Sequence, residues 1–444
     1  MNDATNRVKN MMKNLFNSIL IISSLLSGFA GIDRANAQSA KGDSVVTQLD
    51  PHSSNGLFSS HASYTFNVKS TFDYPEVGKL SYLVTTEAGK KVRADSIHIK
   101  LGAKSSGSYN FEIPGVPPGF YKINFMINVT DYDDTTIRSF GVKPDKLRSP
   151  HAKPADFESF WHDAKSDLAK VKPEYKITPV PDTTKFNRKV FKVEMKSLGG
   201  LTVTGFLSEP NLNNRKFAVL LALPGYQVTL GPMSGPDPDM AIFTLNIRGS
   251  GYSKGKIDER KESWIILSLE DKNKYILRGA IMDCVRAVDF IYSRKELRHD
   301  NIICAGGSLG GLLALATSSV DKRISFCSAA NPILCDVRNL VHEVDWPLID
   351  IRAYVATRPD LTMDKVFDNL DYFDGKNFAS DLECPTLVGM GMLDNIAPPD
   401  HVYIAYNEIK APKHIIIFRD LAHAVARSYN VYEGRWMRDT FALF

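Results

Sequence analysis

The chain has 444 residues, 43% of them hydrophobic and 23% charged, with a formal net charge of +4. That length suits two domains and that balance suits a globular protein with an ample core, which excludes a disordered, collagenous or disulfide-scaffold chain. The small charge, with no concentrated Lys/Arg patch, argues against a nucleic-acid binder.

Arg7, Lys9 and Lys13 precede an apolar stretch from Leu15 to Ala30, and Ala35-Asn36-Ala37 follows as an A-x-A cleavage site. Basic n-region, short apolar h-region and small residues at the cut make residues 1–37 a secretory signal peptide. The alternative is a membrane anchor, but the apolar run is shorter than the ~20 residues a span needs. Cleavage after Ala37 removes four basic residues against Asp3 and Asp33 and leaves a nearly neutral chain. A periplasmic or secreted location is expected, with no membrane span after cleavage.

From about 45 to 143 apolar residues alternate: Tyr64, Phe66 and Val68; Leu80, Tyr82 and Val84; Tyr121, Ile123, Phe125, Ile127 and Val129. Period two with Gly and Pro punctuation marks antiparallel strands with one face buried. About seven short strands in roughly 100 residues fit an immunoglobulin-like β-sandwich. No row of exposed aromatics marks a sugar platform, so a spacer or packing module is the simpler role and carbohydrate binding the alternative.

A Pro-bearing segment, Val142 to Pro154, leads into a different rhythm, predicted to run as one domain from about 150 to 444. Apolar strand-length runs at Ala218–Leu223, Ala241–Ile247, Ile302–Ala305, Thr386–Met390 and Ile415–Phe418 alternate with helical patterns. Ala280, Cys284, Ala287, Val288 and Ile291 share one helix face. Continuous apolar strands separated by helices imply an α/β fold, a mostly parallel sheet covered on both sides. The five cysteines, Cys284, Cys304, Cys327, Cys335 and Cys384, show no zinc spacing and read as buried hydrophobes rather than a disulfide framework.

Gly306-Gly307-Ser308-Leu309-Gly310 follows the strand Asn301–Ala305 and opens the helical run Leu312 to Thr317. A G-x-S-x-G on a strand-to-helix turn is a nucleophile elbow of the α/β-hydrolase fold, which pushes the serine hydroxyl out above the sheet edge. A serine needs a base to take its proton and a carboxylate to orient that base, in the chain order Ser, Asp/Glu, His. Asp394 lies just past the strand Thr386–Met390 and His423 a short loop after Ile415–Phe418, so both are candidates for those roles. Asp400 competes as the acid, although a helix N-terminus accounts for it. His401 and His414 read as structural. The backbone N–H of Leu309 and that of Tyr226, in Pro224-Gly225-Tyr226-Gln227, are candidates for an oxyanion hole, a plain turn being the alternative for the second.

These residues resemble the acetyl xylan esterase/cephalosporin C deacetylase family, carbohydrate esterase family seven. The resemblance rests on Asp283-Cys284-Val285-Arg286-Ala287-Val288, the elbow with Gly311, and Leu334-Cys335-Asp336. Asp156-Phe157, Phe160-Trp161, Gly205-Phe206-Leu207, Arg248-Gly249-Ser250-Gly251, Leu393-Asp394, Pro398-Pro399 and Ala405-Tyr406-Asn407 extend it, in order, over roughly 155 to 435. It departs where the family has His-Gly-Tyr-Asn in the oxyanion loop, Arg-Gly-Gln-Gly, and Gly-His-Glu around the base. None of these departures removes a catalytic group, and Arg248 itself reads as a buried tie between loops.

The resemblance implies a serine esterase acting on acetyl esters of carbohydrates such as xylan fragments, with Ser308, Asp394 and His423 as its triad. It calls for no metal or organic cofactor, and it leaves a homo-oligomer open. The alternatives are an esterase for another acyl group, a prolyl-oligopeptidase-type peptidase, for which the N-terminal part is too short to hold a propeller, and a non-catalytic carbohydrate-binding protein.

Overall fold

The computed structural model describes residues 44–441 apart from 185, 235–238, 256, 259–262 and 425–426. The signal peptide expected over residues 1–37 lies outside the described residues. Eight strands come first: β1 (Val45–Pro51), β2 (Leu57–Phe58), β3 (Ala62–Ser70), β4 (Glu76–Thr85), β5 (Lys91–Leu101), β6 (Ser106–Ile113), β7 (Gly119–Val129) and β8 (Tyr132–Val142). They form a three-stranded sheet in the order β1-β3-β6 and a five-stranded sheet in the order β2-β8-β7-β4-β5. Burial alternates along β3 and β7 as the sequence predicts.

The two sheets meet through aromatic rings, because alternate positions on facing strands carry Phe and Tyr. Tyr64 and Phe66 of β3 lie 5.1 and 5.9 Å from Phe125 of β7, and Phe111 of β6 lies 5.8 Å from Tyr82 of β4. Such rings bury a large apolar area each and pack at tilted or edge-on angles that suit their quadrupoles. The N-terminal region is therefore an all-β sandwich.

Beyond a 3₁₀ turn at Pro144–Lys146, helix α1 (Phe157–Ala169) precedes β9 (Lys176–Val180), β10 (Arg188–Lys196), β11 (Thr202–Pro210), β12 (Phe217–Leu223) and β13 (Ala241–Asn246). Helix α2 (Ile276–Tyr292), β14 (Leu297–Gly307), α3 (Leu309–Val320) and β15 (Phe326–Ala330) follow. Four helices, α4 (Val337–Leu340), α5 (Leu348–Ala356), α6 (Met363–Leu370) and α7 (Gly375–Ala379), separate β15 from β16 (Thr386–Gly391). The last elements are α8 (Pro399–Glu408), β17 (Lys413–Phe418) and α9 (Arg427–Phe441).

These strands make one nine-stranded sheet in the order β17-β16-β15-β14-β12-β13-β11-β10-β9. Pairing is parallel from β13 through β12 to β17, and antiparallel among β9, β10, β11 and β13. The fold is that of an α/β-hydrolase. Helices α2 and α3 are buried on nearly every side, the charged Arg278, Asp283 and Arg286 of α2 included. All five cysteines are buried free thiols. Among the described residues no helix is long and apolar enough to cross a membrane.

The chain leaves β12 to form β13 on one side, then returns to form β14 on the other. A crevice opens at the carboxyl ends of two neighbouring parallel strands where the connections diverge in this way.

Candidate functional site

The elbow sits in that crevice. Ser308 joins β14 to α3 with φ 60° and ψ −121°, a conformation that is strained for any side chain. Its backbone N–H donates to Ala330 O at 2.9 Å, which ties the turn to β15. Glycine is required beside it because the turn closes on itself. A Cβ on Gly306 would lie 2.5 Å from the Gly310 carbonyl, and one on Gly310 would lie 2.5 Å from Leu223 O, at the end of β12.

Ser308, His423 and Asp394 converge from the ends of three strands. The Ser308 hydroxyl lies 2.8 Å from His423 Nε2, and His423 Nδ1 lies 2.8 and 3.0 Å from the two Asp394 carboxylate oxygens. A carboxylate facing Nδ1 keeps the ring proton on that nitrogen, which leaves Nε2 to accept from the serine. Asp394 is fully buried and His423 is 18% exposed. The Asp394 carboxylate also accepts the backbone N–H groups of Ile396 and Ala397, both at 2.9 Å. Leu393 N–H donates to Leu421 O at 3.0 Å, so the loop with Asp394 and the loop with His423 are joined. Asn331, beside the elbow, donates its side-chain amide to Ala424 O at 3.2 Å.

Leu309 opens α3, where the first N–H groups have no carbonyl within the helix to receive them and the helix dipole is positive. The Pro224–Gln227 loop runs alongside: a Cβ on Gly225 would lie 3.6 Å from Gly307 O and 4.0 Å from Ser308 Cβ. The Tyr226 ring is 6.0 Å from Trp264 and 5.4 Å from Trp346, and its hydroxyl accepts the Trp264 backbone N–H at 3.1 Å. Trp346 is 43% exposed. The sequence did not single out Trp346, Trp264 or Asn331, because each lies in a stretch without period or motif.

The other residues weighed from sequence have partners other than the three that converge here. Asp400 accepts the Phe120 N–H at 2.9 Å. His401 sits between Glu343 (3.0 Å) and Asp336 (3.5 Å). His414 stacks on Tyr432 at 5.2 Å. Arg248 grips buried Asp283 at 2.9 and 2.7 Å and donates to Leu198 O.

Residues 143–439 match the acetyl xylan esterase (AXE1) family. The acetyl esterase Axe7A of Xylanibacter ruminicola is 25% identical over 320 residues, covering 67% of this chain and 70% of that one. Two solved structures are similar: the acetyl xylan esterase from Paenibacillus sp. R4, with a TM-score of 0.62 at 25% identity, and acetyl xylan esterase 1 from Thermoanaerobacterium sp. JW/SL YS485, with 0.61 at 21%. Each covers 67% of this chain and is itself covered to 98%.

Proposed function

Since the chain belongs to the acetyl xylan esterase family, we propose that it is a serine esterase that removes acetyl groups from carbohydrate, xylan or its oligosaccharides, through an acyl-enzyme. The observation that carries this is the unbroken hydrogen-bonded run from Ser308 through His423 to Asp394. Ser308 Oγ attacks the acetyl carbonyl as its proton passes to His423 Nε2, and Asp394 stabilises the imidazolium that forms. The tetrahedral oxyanion lies between the Leu309 and Tyr226 N–H groups, where donors already oriented toward developing charge lower the barrier most. The intermediate collapses by breaking the bond to the sugar oxygen, which takes the proton from His423 and leaves as a hydroxyl. A water, deprotonated by His423, then attacks the acetyl-serine, and His423 passes that proton to Ser308 Oγ as its bond to the acyl carbon breaks and acetate leaves.

The half-exposed indole of Trp346, edge-on to Tyr226, supports a sugar ring as the alcohol half of the ester, since the apolar C–H face of a pyranose stacks on an aromatic plane. Residues 1–37 are a cleaved leader and the mature protein is periplasmic or secreted. Residues 45–143 and 150–444 are its two domains.

Hydrolysis of p-nitrophenyl acetate and butyrate by wild type and Ser308→Ala, followed by acetate release from acetylated xylo-oligosaccharides, tests the assignment. Acetate-selective turnover is expected, with kcat/KM lowered by roughly 10⁴-fold or more in the variant. Turnover of the model esters without release from the sugars would remove carbohydrate as the substrate. Equal activity in the variant would remove Ser308 as the nucleophile.

A further inference from the structure

The family match begins at residue 143, so family membership does not account for the eight N-terminal strands. Their contacts do. The turn between β1 and β2 reaches the loops that hold the acid and the base: a Cβ on Gly56 would lie 3.2 Å from Met392 Sδ and 3.6 Å from Arg419 Cγ. Met392 is two residues before Asp394, and Arg419 is four before His423. Those two segments are already one body, through Met392 N–H to Phe418 O (2.9 Å) and Leu393 N–H to Leu421 O (3.0 Å). Gly56 has φ +75°, a backbone conformation open to glycine at little cost, and this lets the turn lie flat against them.

A second contact holds the helix that follows the acid loop. Phe120, at the start of β7, donates its N–H to Asp400 (2.9 Å) and packs its ring 5.6 Å from Tyr403. At the other end of α8, Asn407 donates its side-chain amide to Pro144 O (2.9 Å) and Leu147 O (3.0 Å), just past β8. So α8 is fastened at its first turn, its middle and its last turn to the N-terminal region and the segment leaving it.

We propose that the N-terminal sandwich is a positioning element of the hydrolase site, with Gly56 as the residue through which it sets the loops of Asp394 and His423. This rests on the triad reading above. A displacement of about 1 Å in a reacting group costs up to about 10²-fold in rate, and a side chain added at Gly56 would press on the Met392 thioether and the Arg419 stem, which belong to the segments carrying Asp394 and His423.

The test is a graded pair of series in the full chain, Gly56→Ala and Gly56→Val against Gly89→Ala and Gly89→Val. Gly89 also lies in the sandwich with φ +77°, but a Cβ there would meet nothing within 4 Å. The two positions share the backbone strain and differ in the contact. Steady-state hydrolysis of p-nitrophenyl acetate is measured with the folded fraction taken from thermal melts. Both series are expected to lower Tm, but only the Gly56 series lowers kcat per folded molecule, by about tenfold for valine, with KM within about twofold. Unchanged kcat in Gly56→Val, or an equal loss in Gly89→Val, would overturn the inference. A wild-type chain that hydrolyses no acetate ester would instead overturn the triad reading, and this inference with it.

Discussion

Asp394 is the most heavily used side chain of the site: its carboxylate receives the His423 Nδ1–H and two backbone N–H groups with no solvent contact. Replacing it with asparagine sets an NH₂ donor among three N–H groups. To relieve that, the imidazole takes the other tautomer, and Nε2–H then faces the Ser308 hydroxyl as a donor. Asp394→Asn is expected to lower kcat by about 10³–10⁴-fold with KM near wild type, measured on p-nitrophenyl acetate with a melt to confirm the fold. Ser308, Asp394 and His423 were legible as candidates because each sits just past a strong apolar strand and the elbow carries its own glycines. Trp346 and Asn331 were not, because what places them is tertiary packing of loops with no periodic signal.

At the level of elements, the strands of the nine-stranded sheet read from sequence were those with unbroken apolar runs, β12, β13, β14, β16 and β17. β10 alternates buried with half-buried positions and carries outward lysines, so it lacks the continuous run used to find the sheet. β15, Phe-Cys-Ser-Ala-Ala, is fully buried but is built from small residues with little strand signature. Its Ser328 has a further consequence. Ser328 contacts Tyr429 (2.8 Å) and Glu433, both on α9, so the helix following the base loop is pinned to the sheet by a buried carboxyl. Burial pushes the Glu433 carboxyl up to about 7. A carboxyl raised in the folded state contributes stability at low pH that is lost as pH rises from its ordinary value through about 7. Glu433→Gln, which stays neutral, is therefore expected to gain on wild type by on the order of 2 kcal/mol between pH 5 and 8. Urea unfolding at the two pH values checks this.

For the whole molecule, the passage from an all-β region to an α/β one was visible in the change from period two to alternating strands and helices, whereas the contacts between the two regions were not. Part of that contact is polar: Asp400 on Phe120 N–H, and next to it His401 between Glu343 and Asp336, with the Ser149 hydroxyl donating to Asp336. The sequence marks His401 only as a lone helix histidine, because its carboxylate partners lie about 60 residues upstream. They overcome burial and raise His401 to about 9, while Asp336 is held down at about 2. A histidine raised by its partners contributes stability that is complete below its ordinary value and lost as pH rises through about 9. Tm is expected to fall between pH 7 and 10, and the fall to be smaller in His401→Gln, as followed by calorimetry across that range.

The chain order of the sheet also sets the order in which the site is synthesised. His423 lies 115 residues after Ser308, and it follows β17, an edge strand whose single neighbour is β16. A nascent chain on the ribosome therefore carries the elbow serine long before the imidazole exists to activate it. Every incomplete translation product that stops before residue 423 lacks the imidazole on which the proposed mechanism depends, however well its first strands have folded.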